Sequence, residues 1–98
     1  MIHLALLLLY LALPGVTSLK EKRAVLLSVK DQVTRRFRVS AAEVGDADLH
    51  QSATIAVACV SGDPRVARSV VEEVEKFVRH RWPDLLEDAE IRVERIGD

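Results

Sequence analysis

The chain has 98 residues, 49% of them hydrophobic and 30% charged, with a formal net charge of −1. That length supports a single domain, residues 1–98, with one modest core, and the composition excludes a disordered chain. The near-neutral total excludes the strongly basic balance of most nucleic-acid binders, and the lone Cys59 excludes an internal disulfide framework. A single thiol fits a reducing cytoplasm, and among Val57, Ala58 and Val60 it reads as a small buried hydrophobe.

The chain opens with "MIHLALLLLYLALPGVTS", an apolar run of signal-peptide length. No Lys or Arg precedes the run, and Pro14 and Gly15 spoil the cleavage positions. Pro14 also stops it short of the ~20 apolar residues that a membrane span needs. We therefore expect a strand buried on both faces, closed by a Pro-Gly turn, rather than a leader or membrane segment. Ser18 and Glu21 then form a capping-box pattern. Leu19, Leu26, Val29, Val33 and Phe37 recur on one face of a first helix, which Arg35, Arg36 and Arg38 close at the end favourable to cations.

Residues 39–45 read as a short strand, residues 46–51 as a polar turn, and residues 52–61 as a strand of small and β-branched residues. Asp63 as N-cap and Pro64 at the first helical position start a second helix. Its expected inner face is Val66, Val70, Val74, Phe77, Val78 and Arg81, and Pro83 follows its end. Residues 89–97 alternate as a last strand. The order β-α-β-β-α-β predicts an α+β, ferredoxin-like sandwich: a four-stranded antiparallel sheet with two helices on one face. In that arrangement the first strand has one apolar row too many. Ile2, Leu4, Leu6 and Leu8 alternate with Ala5, Leu7, Leu9 and Leu11, and helices can cover only one of these sets. With the small row Thr54, Ala56 and Ala58 the other would leave an apolar patch, which predicts a homodimer, or a partner protein, on the second sheet face or an edge strand.

Charge is segregated along the chain. Residues 18–38 carry +5, residues 39–64 carry −4, residues 65–82 carry +2 and residues 83–98 carry −4. The basic first helix is thus the candidate anion- or RNA-binding element. Ser18, Lys20, Lys22 and Arg23 lie at its start, where free N–H groups attract phosphate; Lys30, Arg35, Arg36 and Arg38 extend the positive surface. Asp46, Asp48 and His50 form a second candidate cluster at the hairpin tip, although a solvated turn uses the same residue types. With Glu43 they would be the acid/base groups of an enzyme, but no nucleophile elbow, phosphate-binding loop or zinc motif is present. The spacing of Cys and His offers no metal site, and no cofactor is implied. Base stacking on the open sheet is not expected either, since Tyr10 is the only aromatic residue on a strand.

"SLKEKR" at residues 18–23 and "AEVGDADLHQSA" at residues 42–53 resemble the YlxP-like family of small bacterial domains of unknown function. The family commonly has tryptophan where this chain has His50 and a basic residue where it has Ser52. The resemblance implies the ferredoxin-like fold and no established enzymatic activity. The family's genes often lie near those for translation initiation and ribosome maturation factors. It therefore implies a cytoplasmic accessory factor associated with RNA or the ribosome. The alternative expectation is a non-enzymatic homodimeric protein-interaction or regulatory module.

Overall fold

A computed structural model describes residues 1–45, 49 and 51–97. Its elements are β1 (Ile2–Ala12), α1 (Leu19–Arg36), β2 (Ser40–Glu43), β3 (Ser52–Ser61), α2 (Pro64–Arg81) and β4 (Leu86–Ile96). The sheet order is β2-β3-β1-β4, and every neighbouring pair is antiparallel. This is the expected ferredoxin-like βαββαβ arrangement, with the apolar N-terminal segment as a central strand.

Side-chain parity sets the layers, because successive residues of a strand point to opposite faces. On β1 the odd-numbered Ala5, Leu7, Leu9 and Leu11 are buried with Leu13 just beyond, and on β3 so are Ala53, Ile55, Val57 and Cys59. Ala89, Ile91 and Val93 of β4 and Ala41 of β2 pack against the same core. The helices contribute Leu26, Val29 and Val33 from α1, and Ala67, Val71, Val74 and Val78 from α2. Burial pushes the Cys59 thiol pKa up, which suits a packing role rather than a nucleophile.

Both helix starts follow from local chemistry. The Ser18 hydroxyl accepts a hydrogen bond from the Glu21 N–H at 3.1 Å, and Asp63 accepts one from the Arg65 N–H at 2.9 Å. That bond holds the Asp63 carboxyl below its ordinary pKa. Three boundaries or faces differ from expectation. β2 is only Ser40–Glu43, and β4 begins at Leu86, just before an irregularity in its pairing with β1. The inner stripe of α2 runs through Ala67 and Val71, while Val66 is exposed. Valines occupy two adjacent stripes of this helix, so apolarity alone does not orient it.

Candidate anion-binding surface

The expected site divides into two regions at opposite ends of α1. Positions 23 and 36 are about 20 Å apart at 1.5 Å per residue, so the two groups of cations cannot share one phosphate.

At the start of α1, Lys22 departs from the expected surface role. Its side chain is 2% exposed and packs under the sheet's β2 edge. Its Nζ donates to the Leu49 carbonyl at 2.6 Å and lies 3.1 Å from Glu43 Oε2, an ionic contact rather than a well-aligned hydrogen bond. Glu43 faces the core side of β2 because its neighbour across the ladder is the buried Ile55. The carboxylate and the carbonyl that meet the ammonium there offset part of its desolvation. Lys20 and Arg23 are exposed, while Ser18 is half-buried and already engaged as the cap. Glu21 places a carboxylate in the same first turn, held by the Thr17 hydroxyl at 2.8 Å. An incoming anion would therefore meet a negative group and a used cap. Lys30 lies half-buried midway along the helix.

At the end of α1 the arrangement is the reverse. Arg35, Arg36 and Arg38 are exposed. Arg35 and Arg36 line a shallow cleft with Gln32, Phe77 and Arg81. The guanidinium of Arg36 lies 4.9 Å from the centre of the Phe77 ring, and that of Arg81 lies 5.2 Å from the Trp82 ring. Phe77 in turn meets Phe37 and Trp82 edge-on, at centroid distances of 5.7 and 5.8 Å. The three rings form a connected ladder on which two guanidiniums rest. Such stacking restrains an Arg side chain while leaving its N–H edge free to bind oxyanions. Among the described residues, Arg35, Arg36, Arg38 and Arg81 form no ion pair. A second cleft, lined by Arg35, Arg36 and Arg38 with Ser40, Ala58 and Val60, leads from this cluster towards the outer face of the sheet.

Phe77 packs against the core as its helix face predicts, and Trp82 packs beside it, but Arg81, expected on the same face, is exposed. The sequence reading missed that the three also form this surface. The signal was the interleaving of aromatic and basic residues in "FVRHRW", residues 77–82. Asp46, Asp48 and His50 lie outside the described residues. Among the described residues, no three His, Cys, Asp or Glu side chains gather as a metal site. No helix there is long and apolar enough to cross a membrane.

On the outer face of the sheet, Tyr10 donates to Glu90 Oε1 at 3.3 Å and Arg92 donates to Glu90 Oε2 at 2.8 Å. The Arg92 hydrogen bond lowers the Glu90 pKa, and burial together with Glu90 raises that of Tyr10. No match was found among curated proteins. Residues 4–91 match the family described as Protein of unknown function (DUF503), and the chain belongs to that family.

Proposed function

We propose that this protein is a non-enzymatic cytoplasmic accessory factor that binds the phosphate backbone of RNA, with the ribosome as its setting. The binding surface is the cluster of Arg35, Arg36 and Arg81, with Arg38 at its margin. One observation carries this reading: exposed guanidiniums, two of them stacked on rings, stand without carboxylate partners among the described residues. Phosphate contacts of this kind give affinity without base specificity. The resemblance of residues 18–23 and 42–53 to the YlxP-like family supports the same setting.

The test is anisotropy of a fluorescent single-stranded RNA titrated with protein between about 50 and about 200 mM salt. Three phosphate contacts predict a log-log salt slope of about −2. The triple variant R35A/R36A/R81A should lose roughly tenfold or more in affinity and most of that slope. Binding indifferent to salt, or to the triple variant, would contradict the reading. The second reading, a homodimeric interaction module, is favoured by the outer face of the sheet.

A further inference from the structure

Both helices cover the face of the sheet that carries the odd-numbered β1 residues, and the other face carries four parallel columns of side chains. β1 presents Leu4, Leu6, Leu8 and Tyr10; β3 presents Val60, Ala58, Ala56 and Thr54 in register with them. β4 presents Glu94, Arg92, Glu90 and Asp88 at the same levels, and β2 presents Ser40 and Ala42 beside Ala58 and Ala56. Large side chains thus stand on β1 and β4, and mostly small ones on β3 and β2. At one end of the face, Ile2, Val60 and Ile96 are 52%, 66% and 47% exposed, and the register places them around Leu4. Exposed aliphatic groups gathered in this way mark an interaction surface rather than scattered surface residues.

We infer that this face binds a second copy of the chain, open face to open face, about a two-fold axis running along the strands. Rotation about such an axis exchanges left and right but leaves every residue at its own height. The axis between β1 and β3 therefore lays β1 of one copy on β3 of the other, and β4 on β2. Leu6 then faces Ala58 of the second copy, and Leu8 faces Ala56. Large on small is the interdigitation that fills a sandwich without voids. The alternative two-fold axis, across the strands, would set each column on itself, Leu upon Leu and the acidic β4 column upon its own copy.

Charge supports the same choice. Arg38, two residues before β2, lines a cleft with Ser40, Ala58 and Val60, at the end of the face where the register sets Val60, Leu4 and Glu94 side by side. The strand-parallel axis brings Arg38 of each copy towards Glu94 of the other, twice by symmetry. Neither residue has an ion-pair partner among the described residues. The twist of roughly 30° between stacked sheets displaces facing levels by only about one residue at the outer strands, within reach of both side chains. Four strands ~4.8 Å apart and up to 36 Å long give roughly 600 Å² per copy, about 1,200 Å² in total, the lower bound for a stable dimer.

The test is sedimentation equilibrium of the full chain from about 1 to about 100 μM, with circular dichroism to confirm folding. The wild type should have twice the 10.9 kDa chain mass at the upper concentrations. Ala58→Arg puts a long side chain where Leu6 of the second copy must enter, and Val60→Glu charges an exposed position. Each should remain folded and dissociate roughly tenfold or more readily. Arg38→Glu and Glu94→Arg should each weaken the dimer to a similar degree, and R38E/E94R should return it to within about threefold of wild type. A monomeric wild type, an A58R dimer as tight as wild type, or a double charge reversal no tighter than its single variants overturns the inference. Glu94 lies outside the arginine surface, so E94R separates this interface from RNA binding.

Discussion

At the start of α1, Lys22 turns inward to Glu43 and the Leu49 carbonyl; at its end, Arg35 and Arg36 turn outward without carboxylate partners among the described residues. The same class of residue serves the fold in one place and stands exposed beside aromatic rings in the other. The difference lies in what the topology brings alongside. β2 runs beside the first turns of α1 and presents Glu43 on its inner side, whereas the last turn of α1 meets the aromatic end of α2. A buried cation beside a partly buried carboxylate becomes part of the fold. A cation resting on a ring keeps its charge available.

The largest effect is expected at Lys22. Lys22 is buried and Glu43 only partly so, and truncating the lysine removes its packed stem as well as the partner of the carboxylate, so Lys22→Ala should cost ~2 kcal/mol and lower Tm by about 10 °C, measured by thermal unfolding. Glu43 is 25% exposed and can turn towards water, so Lys22→Met, which keeps the apolar stem, should cost less. A Lys22→Ala protein as stable as wild type would mean that the start of α1 is surface after all. The arginine cluster should behave in the opposite way, with affinity falling and stability holding within about 0.5 kcal/mol.

Smaller effects are expected at the helix starts. Ser18→Ala removes the acceptor for the Glu21 N–H and should cost about 1 kcal/mol in chemical denaturation, with no change in RNA affinity. Asp63 gives a still smaller, pH-dependent signature. Its pKa is depressed in the folded state, so its contribution is present above the unfolded value of about 3.9 and is lost as pH falls through the folded value. Asp63→Asn keeps an acceptor without the titration, so its acid-unfolding curve should be shallower than that of wild type.

Much of the fold could be read from the sequence because its signals are local. The Ser18 and Asp63 caps, the Pro14-Gly15 stop and the alternation along residues 52–61 each depend on neighbours a few positions away. Together with element order they determine the sheet. The candidate site was legible only in part. Nothing near Lys22 announces that Glu43, 21 residues later, will meet it inside the protein, so a buried lysine reads as a surface one. Arg81 was hidden for a related reason, while Phe77 packs against the core as its helix face predicts. The inner stripe of α2 is set by how closely Ala67 and Val71 approach the sheet, and valines on the adjacent stripe give the same local pattern. Long-range pairing and helix rotation are tertiary properties, and the residues that depend on them are those that sequence periodicity misplaced.

RNA affinity at several salt concentrations, measured for wild type, K20A/R23A and R35A/R36A/R81A, tells the two ends of α1 apart. The start of α1 should be dispensable, with K20A/R23A within about twofold of wild type and an unchanged slope, while R35A/R36A/R81A loses roughly tenfold or more and most of its slope. The reverse pattern, or equal losses in both variants, would contradict an anion surface built at the end of α1.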